Sequence, residues 1–187
     1  MATLLSDKVT HDYRRMKLIG LWLFILSETF LFGAVISTRF YLQGVHRPEH
    51  LNQPLGLVIS IVLLLSSLMA YRGEMGASIG DTKRFRNNIL GTILFGALFL
   101  VGVGYEWYEA FIHFPPSTGY GTVFFTMTGL HAAHVLSGMI ALIIVWVMGL
   151  DGRFNGSNYW AVEGTVKYWH FVDVAWVFIY PTLYLVS

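Results

Sequence analysis

The feature that most constrains this sequence is where its charges are missing. No Asp, Glu, Lys or Arg occurs in 50–71, 87–105 or 110–150; between Lys17 and Arg39 there is only Glu28, and in 168–187 only Asp173. A mainly apolar stretch of about 18 or more residues crosses ~30 Å of hydrocarbon as a helix. Over the whole chain 12% of residues are charged and 55% hydrophobic, whereas soluble domains carry about 25% charged residues. The sequence therefore reads as an integral membrane protein, and at 187 residues as a single domain, 1–187.

The fold class expected is all-α, a bundle of five transmembrane helices over 18–42, 54–71, 89–112, 122–148 and 165–186. Each run is long enough at about 1.5 Å per residue, the second at the short limit. Pro48 and Pro54 frame the first loop, Pro115 and Pro116 end the third span, and Gly149, Gly152 and Gly156 fall between the fourth and fifth. The first apolar run exceeds 20 residues and has no small-x-small site at its end, so it is expected to remain as the first span. Ten Lys and Arg (Lys8, Arg14, Arg15, Lys17, Arg72, Lys83, Arg84, Arg86, Arg153, Lys167) fall on one side and two (Arg39, Arg47) on the other. The positive-inside bias puts the N-terminus in the cytoplasm and the C-terminus in the periplasm.

Several functions are disfavoured at once. A net charge of +1, with basic residues confined to short loops, leaves no basic face for nucleic acid. The absence of cysteine excludes disulfides, thiolate catalysis and cysteine-ligated metal. No pore filter, voltage sensor, phosphate loop or zinc helix is apparent. Five spans do not divide into inverted halves, which weighs against many secondary transporters.

The informative residues are those costly where they sit. Glu28 lies about ten residues into the first span, roughly 15 Å deep. An ionised carboxylate there costs at least ~2.5–3.5 kcal/mol, so it is expected to face protein, water or a lipid headgroup, in a functional or lipid-contact role or in a buried hydrogen bond. His131 and His134, three apart, share a face of the fourth span, as His170 and Asp173 do on the fifth. A pair on one helix cannot supply both axial ligands of a haem. A two-helix metal cluster is one reading of the four. Interhelical hydrogen bonds between the fourth and fifth spans are the preferred one, with solvent- or partner-facing histidines as a third.

His170, ~8 Å in from the inner end, and Lys167 are placed to reach a lipid phosphate. Glu106 and Glu109 form an acidic rim near the outer end of the third span, among Tyr105, Trp107 and Tyr108. The aromatics of the fifth span read as interface anchors. Gly91, Gly96, Gly102, Gly104, Gly129, Gly138 and the Ser66-Ser67 pair are candidate close-approach surfaces between helices.

At these residues the sequence resembles subunit III of the haem-copper terminal oxidases, the cytochrome c oxidase subunit 3 family. The resemblance rests on LWLFILSETFLFG (21–33), YEWYEAF (105–111), YGTVFFTMTGLHAAHVLSG (120–138) and YWHFVDVAWVFIYPTLY (168–184), with Glu163 of AVEG just before the last block. The chain is similar to a short, five-helix form without the first two of the seven helices of long relatives. It would then lack one wall of the family's lipid-holding cleft. The glutamine that often precedes the glutamate pair in long relatives is not apparent here.

The resemblance implies a noncatalytic subunit without haem or copper of its own. It would pack on subunit I, which carries those cofactors, in a complex with subunit II and a small subunit IV, and would hold phospholipid. It implies support of subunit I stability and of sustained proton uptake, in a proton-pumping plasma-membrane oxidase that takes electrons from cytochrome c. Glu28 matches the family's intramembrane glutamate. Glu106 and Glu109 match its acidic pair, and His131, His134, Glu163, His170 and Asp173 match its polar set. A quinol oxidase subunit III, an accessory subunit of a nitric oxide reductase and a stand-alone transporter are the alternatives.

Overall fold

The structure, a computed structural model, describes residues 2–43, 53–154, 156 and 158–186, and only the backbone of 2–12 and of 43. Five α-helices follow one another: α1 (Ala2–Gln43), α2 (Gln53–Ile79), α3 (Thr82–His113), α4 (Gly119–Met148) and α5 (Trp160–Tyr180), the last continuing as a π-helical turn, Pro181–Leu185. Arg47 and Pro48 lie outside the described residues, as does the side chain of Lys8. Among the described residues, α2, α3, α4 and the Tyr13–Leu42 part of α1 are long and apolar enough to cross a membrane. The fifth helix is shorter, 21 residues, and carries Glu163, Lys167, His170 and Asp173.

All five expected helices exist, but their ends differ from the expected spans. The 72–88 segment, read as a loop, is instead the last two turns of α2 and the first turns of α3, joined through Gly80 and Asp81. The cause is that charge limits how far a helix stays in lipid, not how far its backbone hydrogen bonds continue. The real stops are local. Gly80 takes φ +76°, a left-handed conformation that suits glycine, and the Asp81 carboxylate then accepts a 2.9 Å bond from the Arg84 amide to start α3. After Pro115 and Pro116, Thr118 caps α4 by accepting from the Gly121 amide at 3.0 Å.

The chain divides into two compact units, Met1–Ala34 and Val35–Ser187. The first holds most of α1. There Ser27 and Thr29 donate to the carbonyls of Phe24 and Ile25 at 2.7 and 2.8 Å, satisfying their hydroxyls within the helix. In the second unit α2, α3, α4 and α5 pack in sequence, and α5 closes back on α2.

Small residues set how closely the helices of the second unit approach. A Cβ on Gly76 would lie 2.5 Å from the Phe85 amide nitrogen, and one on Gly102 2.5 Å from Ile59. Gly104 is different: a Cβ there meets nothing within 4 Å, so this expected contact position faces outward. The core between the helices is built on Leu63, Ile89, Phe99, Phe124, Met127 and Leu142, none more than 1% exposed.

Candidate functional site

The most developed polar arrangement is the seam between α2 and α5. Ser60 donates its hydroxyl proton to the Gly56 carbonyl at 2.6 Å, and Ser66 donates to the Leu63 carbonyl at 2.6 Å. Each serine, having given its proton to its own helix, presents oxygen lone pairs across the seam. Indole N–H is a donor only. The match follows: Trp176 Nε1 donates to Ser60 Oγ at 2.8 Å, and Trp169 Nε1 to Ser66 Oγ at 3.0 Å. Both indoles are at most 1% exposed. Next to them Ser67 Oγ lies 2.5 Å from His170 Nδ1. At one end of the seam the Gln53 amide donates to the Tyr184 carbonyl at 2.7 Å. At the other end Lys167 Nζ lies 2.6 Å from Glu163 and 3.9 Å from Glu74.

Trp169 also reaches the other two helices of this unit. A Cβ on Gly96 of α3 would lie 2.7 Å from its Cη2, and a Cβ on Gly138 of α4 2.9 Å from its Cε3. Glycine at both places lets one indole touch three helices. The seam therefore uses aromatics that the sequence assigns to the membrane interface. Trp169 and Trp176 are core residues, because α5 turns that face inward.

A second cluster lies at the Gln53 end. Glu106 is 3% exposed, with the buried Tyr184 hydroxyl beside its carboxyl. Glu109 is only half-buried and meets the Tyr105 hydroxyl. The expected acidic rim is thus split. Glu106 points into the bundle and Glu109 out, since three residues turn a helix by about 300° and the end of α5 covers one of the two directions. Arg39, counted in the sequence as a loop-side charge, is 0% exposed, with its guanidinium 5.2 Å from the Tyr120 ring centroid. Tyr120 in turn donates to the Leu183 carbonyl at 2.8 Å. The π-helical turn brings the Leu183 and Tyr184 carbonyls to these donors. Its first residue, Pro181, has no amide N–H to continue the α-helical pattern.

The histidines behave individually. His131 is fully buried, its ring 4.8 Å from Trp176 and 5.6 Å from Phe99 between centroids. His134 donates through Nδ1 to the Leu130 carbonyl of its own helix at 2.8 Å. His170 joins α5 to α2, not to α4 as the spacing suggests. A direct α4–α5 bond comes instead from Ser137 and the Tyr168 hydroxyl, 2.8 Å apart. Among the described residues no group of three His, Asp or Glu side chains converges as a metal site, so the two-helix cluster that the sequence allows has no ligand set there. Glu28, in the first unit, is half-buried.

Sequence reasoning singles out the ionisable residues and misses Ser60, Trp169, Trp176, Tyr184 and the burial of Arg39. One signal is available. Ser60 and Ser66 are six apart and Trp169 and Trp176 seven apart, spacings that differ by only about 1.5 Å of helical rise.

Comparison with known proteins gives one consistent result. A family model described as "Cytochrome c oxidase subunit III" matches residues 2–187. The "Cytochrome c oxidase subunit 3" of Corynebacterium diphtheriae is 35% identical over 182 residues, covering 90% of this chain and 87% of that protein. The protein of that name from Thermostichus vulcanus is 28% identical over 190 residues, covering 95% and 90%. The Equus caballus protein is 33% identical over 180 residues, covering 88% of this chain and 67% of that longer protein. With a family match over nearly the whole chain, this protein belongs to the cytochrome c oxidase subunit III family.

Proposed function

We propose that this noncatalytic, membrane-embedded subunit is the third subunit of a proton-pumping haem-copper oxidase in the plasma membrane, in a respiratory chain that carries electrons from cytochrome c to oxygen. The observation that carries the reading is the family match over residues 2–187. The chain packs on subunit I, in a complex that also holds subunit II and a small subunit IV. Haem and copper belong to those partners. The N-terminus is cytoplasmic, the C-terminus periplasmic, and α5 is the fifth span of a single membrane domain.

The side chains suit a supporting role. The α2–α5 seam and the Glu106 cluster stiffen the helices from within, leaving apolar residues such as Leu94, Leu98 and Val101 of α3 outward for lipid or a partner. Glu28 is assigned to contact with phospholipid and subunit I, and through these to sustained proton uptake. Lys167 and His170 lie at the cytoplasmic part of the seam, where lipid phosphate meets the inner rim.

The test is to purify the assembly through this chain in mild detergent and record its redox spectrum. Co-purification of a haem-copper catalytic subunit with the dinuclear copper signal of a cytochrome c oxidase is expected. Haem without that copper centre would point to a quinol oxidase or a nitric oxide reductase. A haem-free chain that drives flux alone in liposomes would overturn the reading.

A further inference from the structure

The end of α5 is tied to the bundle in a way that the α2–α5 seam does not require. The last carbonyls of a helix have no amide ahead of them to accept from, and inside a membrane bundle another group must satisfy them. Here two successive carbonyls are taken by side chains of two different helices. Tyr120 of α4 donates its hydroxyl proton to the Leu183 carbonyl at 2.8 Å, and Gln53 of α2 donates its amide to the Tyr184 carbonyl at 2.7 Å. In the closed order α2, α3, α4, α5 these two helices are diagonal, and the turn joins them.

Two features make this turn a separate moving part. Pro181 has no N–H to offer the Val177 carbonyl, which interrupts the helical ladder where the turn begins. Beyond it the Val186 amide donates to the Pro181 carbonyl at 3.0 Å, five residues back. That register is rare, and the α-helical alternative on the Thr182 carbonyl lies one residue away. Passing to it rotates the Leu183 and Tyr184 peptides and re-aims both carbonyls. They cannot move singly. Peptide planes are rigid, so only the φ and ψ of Tyr184 lie between the two carbonyls. The Tyr184 side chain is 0% exposed and stacked on Tyr180 at 5.0 Å between centroids. It also presses on α2, where a Cβ on Gly56 would lie 2.8 Å from its Cε1.

We propose that the Pro181–Leu185 turn is a latch, hinged at Pro181 and closed by Gln53 and Tyr120, which opens and closes as one unit and sets whether the ends of α2 and α4 move together. Closed, it fixes the ends of both helices to α5. Open, it gives up both donors at once and withdraws Tyr184 from Gly56. The ends of α2 and α4 are then free to part, while the serine–indole bonds hold the seam farther along.

The test uses the assembly purified through this chain. In this cysteine-free sequence, Leu183→Cys places a thiol where the side chain is fully buried, and its rate of reaction with a water-soluble maleimide reports opening. Adding Gln53→Leu removes the donor to the neighbouring carbonyl, not to that of residue 183. It should still speed the reaction about fivefold or more, as loss of one membrane hydrogen bond implies. Tyr120→Phe keeps the ring under Arg39, removes only the hydroxyl, and should have the same effect. Hydrogen exchange of the 182–186 amides in the cysteine-free protein gives the reading without the thiol. Both single variants should speed it to a similar degree while exchange within α3 and α4 stays unchanged. The proposal is overturned if Gln53→Leu leaves the thiol and exchange rates unchanged, since the two bonds would then be independent. A rise in exchange of equal size throughout the bundle also overturns it, because the turn would then have no opening of its own.

Discussion

Replacing Gly96 by Ala should destabilise the protein, and replacing Trp169 by Phe should cost much less in that variant than it does in the unaltered protein. The new methyl carbon would lie 2.7 Å from Trp169 Cη2 and 3.2 Å from Met139. Carbon atoms prefer about 3.5–4.0 Å, so the indole must move by roughly 1 Å. It is held by its 3.0 Å bond to Ser66 and by the close approach of Gly138, whose Cβ position lies 2.9 Å from the same ring. Overpacking of this kind costs about 1–3 kcal/mol.

Trp169→Phe alone removes roughly 40 Å³ of side chain, or about 1 kcal/mol at ~24 cal/mol per Å³. It also forfeits a membrane hydrogen bond worth ~0.6–1.7 kcal/mol. The atoms it deletes belong to the ring that the Gly96 methyl strikes. The double variant should therefore be less destabilised than the sum of the singles by about 1–2 kcal/mol. Relief of the clash stays incomplete because Met139 also lies close. The assay is unfolding by dodecyl sulfate titration in mixed micelles, read by circular dichroism, on all four proteins. Energies that add to within ~0.5 kcal/mol would refute the reasoning, since they would mean that the methyl and the indole do not compete for one space.

Three further outcomes are expected. In this cysteine-free chain, Ser117→Cys should react with an impermeant thiol reagent added to intact cells, and Lys83→Cys should not; the reverse pattern would invert the topology. His131→Ala should leave haem and copper per assembled oxidase unchanged while costing about 2–4 kcal/mol of stability, from the void left against Phe99 and Trp176. Metal analysis together with the same unfolding assay checks it, and stoichiometric metal loss from intact complex would sink it. Glu28→Gln should assemble and keep most initial oxygen reduction, whereas Glu28→Ala should dissociate or inactivate sooner in turnover. Normal assembly with pumping abolished from the first turnover in the Gln variant would place Glu28 on an obligatory proton path.

Helix number and order are legible because a charge-free run has few alternatives to crossing a bilayer. What cannot be read is which way each helix faces. In water the buried stripe is the apolar one, but in lipid both faces are apolar and hydropathy stops discriminating. Hence Glu106 and Glu109 look equivalent in sequence, Gly104 looks like Gly96, and Trp169 looks like an anchor. Arg39 shows the opposite limit. Its charge locates the end of α1 well enough for counting, yet says nothing of the Tyr120 ring that receives it. Partnership across the seam is hidden for another reason. Ser66 turns its proton to the Leu63 carbonyl and accepts from the indole with a lone pair, a local arrangement that no spacing rule on α5 records.

The two serine–indole bonds bear on what kind of motion this subunit can transmit. A helix sliding along its neighbour does so in steps of about one turn, 5.4 Å, to keep ridges in grooves. Such a step would carry Ser60 and Ser66 away from Trp176 and Trp169 together, leaving two indole donors facing hydrocarbon. It would also drive the Tyr184 ring, packed against Gly56, onto a residue with a side chain. Shear between α2 and α5 is therefore blocked in both directions, and a displacement at one end of the pair reaches the other as a tilt of both helices moving as one body.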